Sequence, residues 1–228
     1  MENKEKTRER LVVKKNELIQ KTRYALNSNE QKILLYVISK IKPDDKELYE
    51  YDFGLQEICD VLGITQNGKN YKNLRATLKA LRDKSFWVDD GNSYWLCAWL
   101  AGVEVHPNEM RVRIQLDKRL APYLLDIKEA YTSYQLGNIL SLNSKYAIHL
   151  YELAKSYSNM GEFTISLDNF REYLQIEGYS DYDNLRRRVI ENAIEEINAF
   201  SDLQIAFEPV RTGKVISHIH FTITKRPF

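Results

Sequence analysis

The chain has 228 residues, 43% of them hydrophobic and 29% charged, with a formal net charge of +1. This is a globular composition, long enough for one large or two small domains, and it excludes disorder as the state of the whole chain. The longest nearly apolar run, "YWLCAWLAGV" at 94–103, is too short to span a bilayer, and the charged opening "MENKEKTRER" lacks the apolar core of a secretory signal. Cys59 and Cys97 sit in separate apolar segments without metal-ligand spacing, as reduced buried thiols of a cytosolic chain would.

In chain order, "VVKKNELIQKTRYALNSNEQKILLYVISKI" (12–41) predicts two helical pieces. Asn27 or Ser28 caps the second, whose Ile33, Leu34, Val37, Ile38 and Ile41 make a buried stripe. "YEYDF" (49–53) predicts a short strand, and "LQEICDVLGI" (55–64) a short helix stopped at Gly63. A basic helix follows the turn at "TQNGKN". "FWVDD" and "YWLCAWLAGV" predict strands of a wing around a turn at Asp90-Gly91-Asn92, and "MRVRIQL" (110–116) adds another strand.

The same order then recurs. "LNSKYAIHLYELAKSY" (142–157) parallels 27–42, "FTISLDNFREYLQI" (163–176) parallels "YDFGLQEICDVLGI", and "YDNLR" (182–186) echoes "YKNLR" (71–75). "LQIAFEPV" and "KVISHIHFTI" close a hairpin around Arg211-Thr212-Gly213-Lys214. An internal repeat of this kind indicates two copies of one fold. Helix, strand, helix, recognition helix and wing is the winged-helix order, so the predicted class is α+β with tandem winged-helix domains. The boundary is placed in the polar segment "DIKEAYTSY", read as a linking helix or loop, giving domains 1–128 and 129–228.

The basic helix carries the functional signal. No acidic residue occurs from Val61 to Arg82, while Lys69, Lys72, Arg75, Lys79 and Arg82 recur three or four apart opposite Leu74, Leu78 and Leu81. A face built for solubility mixes both signs, whereas this one has no partner within its helix. Duplex phosphates would supply the missing charge, and Asn70, Lys72, Asn73 and Arg75 are suited to base edges. An ordinary solvated basic face is the competing reading. In the second recognition helix Asn184, Arg187 and Arg188 point outward. Arg186 falls with Val189, Ile190 and Ile197, where its stem would snorkel, and Glu191, Glu195 and Glu196 follow. Lys214 and Arg211 at the hairpin tip suit a DNA backbone or a solvated turn equally. Phe86, Trp87, Tyr94, Trp95 and Trp99 read as half core and half cross-strand pairing, with base stacking as the alternative.

"HIH" (218–220) matches the His–hydrophobic–His pattern of rolling-circle nickases, in which paired imidazoles hold a metal and a helical tyrosine attacks. No tyrosine follows it here, so a polar wing face is preferred. No phosphate-cradling loop, nucleophile elbow or His-Glu-x-x-His helix occurs, and the chain is expected to be no enzyme, with no cofactor and no metal.

The stretches 12–41, "LNSKYAIHLYELAK" and "YSDYDNLRRRVIENAIEEINAFSDLQI" together resemble the Rep_3 family of theta-type plasmid replication initiators, over about residues 11 to 224. Tyr182, Arg186–Arg188 and Glu196-Ile197-Asn198 carry the most specific part. The resemblance implies an initiator that binds repeated duplex sites (iterons) at a plasmid origin through both domains. It also implies opening of adjacent DNA, recruitment of host replication proteins and, as a dimer formed largely through the first domain, repression of its own gene at an inverted-repeat operator. The implied location is the bacterial cytoplasm, in association with plasmid or nucleoid and with no membrane. The implied DNA-binding residues are Lys69, Lys72, Asn73, Arg75, Lys79 and Arg82 in the first domain. In the second they are Asn184, Arg186, Arg187, Arg188 and Lys214. A winged-helix transcription regulator without a replication role is the alternative, with a nickase and a protein-interaction scaffold behind it.

Overall fold

The computed structural model describes residues 2–89 and 91–226, so Asp90 of the anticipated turn lies outside the described residues. The chain forms two compact units, the first comprising residues up to Thr22 with Leu26–Leu140, the second Arg23–Ala25 with Ser141–Phe228. No helix among the described residues is long and apolar enough to cross a membrane.

Unit 1 opens with α1 (Glu2–Arg8), β1 (Leu11–Lys15) and α2 (Asn16–Lys21). The expectation of helix from residue 12 therefore fails at its start. Val12 and Lys14 are buried while Val13 and Lys15 are half-exposed, the period-two pattern of a strand favoured by paired β-branched residues. The partner of β1 is β7 (Tyr131–Gln135), antiparallel, with Val12 opposite Tyr134. The segment read as a linker is thus a strand of unit 1, and the units divide after Leu140 rather than at 128. Each strand leads into a short helix, α2 after β1 and α7 (Leu136–Leu140) after β7. The repeat therefore begins upstream of the long helices in which it is legible.

The winged helix of unit 1 is built on α3 (Ser28–Ile38), started by a reciprocal cap. Glu30 N donates to Asn27 Oδ1 (3.0 Å) and Asn27 N donates to Glu30 Oε2 (2.8 Å). Then come β2 (Glu50–Gly54), α4 (Leu55–Leu62) and α5 (Gly68–Asp83). Gly63, at φ 67°, ends α4 in the left-handed conformation that a Cβ disfavours, and Asn67 caps α5 by accepting from Asn70 N (2.9 Å). Four strands follow: β3 (Ser85–Asp89), β4 (Tyr94–Ala98), β5 (Leu100–His106) and β6 (Arg111–Leu116), the last followed by the short helix α6 (Ala121–Leu124). One sheet has the order β2-β6-β5, while β3 and β4 form a separate two-stranded ribbon.

Unit 2 repeats the plan with α8 (Lys145–Tyr157), β8 (Glu162–Ser166), α9 (Leu167–Tyr173) and a long third helix. That helix comprises α10 (Tyr182–Leu185), a π-helical segment Arg186–Glu191 and α11 (Asn192–Phe200). The strands β9 (Leu203–Thr212) and β10 (Val215–Lys225) complete a sheet of order β8-β10-β9. The two sheets match strand for strand, so the counterpart of the β9–β10 wing is β5–β6. The sequence reading placed the first wing at β3–β4, and pairing overturns it: β2 joins β6 at Tyr51 opposite Ile114, leaving β3–β4 as an insertion.

Polar joints hold each recognition helix to the first helix of its unit. Glu196 of α11 accepts from Asn143 N (2.6 Å) and Ser144 N (3.0 Å) at the start of α8, and Asn198 exchanges two bonds with the backbone of Ile205 (2.9 and 2.7 Å). With Ile197 fully buried between them, the Glu196-Ile197-Asn198 run is explained as a structural joint. Glu196→Ala should therefore destabilise the chain by about 1–2 kcal/mol, the cost of a lost charged helix cap, as measured by urea unfolding.

In unit 1, Glu57 of α4 accepts from the Tyr36 hydroxyl (2.6 Å) and lies 3.3 Å from Lys40 Nζ. Burial alone would raise the Glu57 carboxyl, but the bonds from Tyr36 and Gly54 and the Lys40 ammonium hold it below its ordinary 4.5. A depressed carboxylate stabilises the fold fully above its unfolded value and ceases to do so as pH falls through the native one. Urea midpoints should accordingly fall as pH drops below about 4.5, and Glu57→Gln should flatten that decline.

Candidate nucleic-acid interface

Helix α5 owes its position to Leu74, Leu78 and Leu81, each at most 2% exposed. Burying that stripe turns the other arc to solvent, and Lys69, Lys72, Asn73, Arg75, Lys79 and Arg82 all lie exposed on it. The structure brings these residues together on one helix, yet they are not equivalent. Lys79 pairs with Asp83, four residues on, which corrects the expectation of a helix without internal partners. The sequence signal was present one residue beyond the acid-free run. Arg82 donates from Nε to the Ala101 carbonyl of β5 (3.0 Å). Arg75 lies with its guanidinium carbon 6.0 Å from the centre of the Tyr71 ring. Asn70, considered for base contact, instead donates from Nδ2 to Thr65 O (2.7 Å) and shapes the turn before the helix.

Between α5 and β5 lies a groove of about 530 Å³, with Leu78, Val103, Val105 and Pro107 against Tyr71, Arg75, Lys79 and Arg82. A hydrophobic floor beside a row of cations suits a sugar–phosphate strand. Sequence reasoning missed Val103, Val105 and Pro107 because it assigned the wing to the preceding strands. The signal was the alternation of "VEVH" and "RVRI" on either side of the "PNEM" turn.

In unit 2, Asp181 caps the third helix, accepting from Asn184 N (2.8 Å) and from its Nδ2 (2.7 Å). These bonds hold the Asp181 carboxyl below the usual carboxylate range. Asn184 is therefore partly committed to the cap. Arg186 is half-buried, its Nη1 3.1 Å from Glu191 and its Nε 3.8 Å from Asp183. Arg187 and Arg188 are exposed, Arg187 making long contacts to Asp183 O and Asn184 Oδ1 (3.4 Å each). Lys214 is exposed at the β9–β10 tip, where its carbonyl accepts from Arg211 (3.2 Å) and Gly213 takes φ 64°. Of the four acids in this helix, Glu196 is committed to α8, and Glu191 and Asp183 lie beside Arg186.

The ribbon β3–β4 shows both halves of the reading of its aromatics. Phe86, Val88, Cys97 and the adjoining Trp99 are buried, with the Phe86 and Trp99 ring centres 4.3 Å apart. On the other face Trp87 (63% exposed), its cross-strand neighbour Leu96 (44%) and Tyr94 (74%) stand in solvent.

His218 and His220 sit on β10 on the face opposite the buried Ile219, Phe221 and Ile223. His218 Nδ1 lies 2.9 Å from Ser217 Oγ, and His220 Nδ1 lies 3.0 Å from Thr164 Oγ1, with Nε2 3.6 Å from Glu162. No group of three or more His, Cys, Asp or Glu able to hold a metal occurs among the described residues. Burial raises both thiols, Cys97 to about 12.

Comparison with known proteins also finds two modules, the first match extending past Leu140 through most of α8. Residues 11–155 match the family described as "Initiator Replication protein, WH1", and residues 166–223 match "Initiator Rep protein, WH2". A "Probable replication protein rep" of Bifidobacterium longum (strain NCC 2705) is 25% identical over 178 residues, 76% of this chain. The chain spans 59% of that relative's length. Among solved structures, the Pi initiator protein in complex with iteron DNA superposes with a TM-score of 0.76, at 20% identity, covering 96% of this chain and 98% of that one. Domains 2 and 3 of RctB superpose with a TM-score of 0.51, at 8% identity, over 88% of this chain and 81% of that one. The two matched modules, over residues 11–155 and 166–223, make this chain a member of the Rep3 family of initiator replication proteins.

Proposed function

We propose that this chain is a plasmid replication initiator that reads repeated duplex sites at an origin, one groove segment per winged helix. The observation carrying the reading is the exposed arc of α5, on which Lys69, Lys72 and Arg75 have no carboxylate partner within the helix. Its relative Pi was solved on iteron DNA, which supports the same class of ligand here. In this reading Lys69, Lys72 and Arg75 neutralise phosphates as Asn73 enters the groove, while Lys79 and Arg82 flank them toward β5. Arg187, Arg188 and Lys214 serve the second unit, with Asn184 and Arg186 helping to shape its helix. Opening of the origin draws on binding and bending energy, since deformable steps are the ones a bound protein strains most readily. The exposed Trp87–Leu96–Tyr94 face supports self-association of the first unit, and with it a dimer that represses the chain's own gene at an inverted repeat. Host replication proteins are the further partners, in the bacterial cytoplasm.

The alanine triple variant at Lys69, Lys72 and Arg75 should reduce the dependence of log affinity on log salt by about 2.7, each phosphate contributing about 0.9. Lys79→Ala should change it by much less, because Asp83 already neutralises that ammonium. Fluorescence titrations of duplex binding at several salt concentrations provide the check. A folded triple variant with an unchanged slope would remove α5 from the interface. Charge reversal at Arg75 and Lys79 together should abolish duplex binding without unfolding the domain, as a thermal melt would show. Retained affinity in that folded variant contradicts the assignment.

A further inference from the structure

The two recognition helices share a frame, Tyr71-Lys72-Asn73-Leu74-Arg75 in α5 and Tyr182-Asp183-Asn184-Leu185-Arg186 in unit 2. In that frame the buried stripes diverge after one turn. In α5 it consists of Leu74, Leu78 and Leu81; in unit 2 it is broader, comprising Leu185, Val189, Ile190, Ala193, Ile194 and Ile197. Within that helix the segment Arg186–Glu191 is π-helical, which places one extra residue in the turn.

Charge pairing follows the same change. The frame equivalents of Asp183 and Glu191 in α5 are Lys72 and Ala80. Arg75 therefore has no carboxylate beside it on its helix, whereas Arg186 has two, Asp183 at 3.8 Å and Glu191 at 3.1 Å. The Arg186–Glu191 spacing is i,i+5. On a regular α-helix those side chains diverge by about 140°, but across a π turn they lie on one face. This ion pair is available only while the turn is wide.

We infer that Arg186 and Glu191 are positioning residues: their ion pair holds the π turn, and the π turn aims Arg187 and Arg188 at DNA. Arg186 itself makes no phosphate contact. The inference rests on the reading of unit 2 as a DNA-reading module. It assigns a role to the arginine that corresponds to Arg75 but no longer acts as Arg75 does, and it explains why Glu191 follows the arginine run.

The test uses the full chain, a duplex carrying its selected site, and a scrambled duplex of equal length, in one salt. Glu191→Gln separates the two roles by sign. If Arg186 positions, losing the pair lowers the ratio of specific to scrambled affinity by about fivefold, the upper range for an exposed ion pair. If Arg186 contacts phosphate, removing the acid frees it and affinity for both duplexes rises. The exchange Arg186→Glu with Glu191→Arg should restore most of the specificity lost in Arg186→Glu alone, since it rebuilds the pair in reverse. An unchanged or increased ratio in Glu191→Gln, or no recovery in the exchange variant, overturns the inference. The Arg187→Ala/Arg188→Ala variant is the separate control: if it binds the selected site as well as the parent does, the DNA-reading role of unit 2 fails and the positioning role fails with it. A circular-dichroism melt of each variant excludes loss of fold as the cause.

Discussion

Three leucines determine what the first recognition helix can present. Leu74, Leu78 and Leu81 must be buried, and on a helix of fixed pitch that choice leaves one arc, and only one, for solvent. The cations on that arc are then displayed together without further design. In unit 2 the buried face is broader, and the backbone widens a turn between Arg186 and Glu191. Core burial thus sets the phase of each helix, and the phase determines which charges face outward. Polar groups on the outer arc are adjusted afterwards, by pairing some of them and leaving others free.

The joint between recognition helix and following strand receives a second layer of control in both units. Lys84, just after α5, pairs with Glu30 in the first turn of α3. Asp202, just after α11, pairs with Lys155 and accepts from the Tyr151 hydroxyl (2.8 Å) on α8. The polarity is reversed, yet the mechanical effect is the same: the end of the third helix is tied to the first. A helix that must keep its angle against a groove benefits from being held at an end as well as along its face. Arg82, bonded to Ala101 of β5, extends this restraint to the side of the wing in unit 1.

Much of this was legible in the sequence, for identifiable reasons. The helices of both units were readable because their apolar stripes are long and the cap at Asn27 is chemically distinct. The internal repeat was readable because Tyr-x-Asn-Leu-Arg survives in both recognition helices. What escaped was short or non-local. β1 and β7 have five residues each, too few for a period to stand out, and their pairing spans more than a hundred residues of chain. The wing of unit 1 was assigned one hairpin too early because the aromatic ribbon β3–β4 gives the stronger local signal, whereas only register shows that β5–β6 completes the sheet. The π turn was invisible to a wheel drawn at a constant angle. Asp83 lay just outside the acid-free window and was overlooked as a partner for Lys79.

The central claim is that one chain carries two unequal readers and therefore recognises a long site without internal symmetry. Selection from a random duplex library with the purified chain, sequenced at two salt concentrations, tests this most directly. The account predicts one long asymmetric sequence, bound by a single copy, with enrichment that weakens steeply as salt rises. A short palindrome bound only by two copies, or no enrichment at either salt, would contradict it.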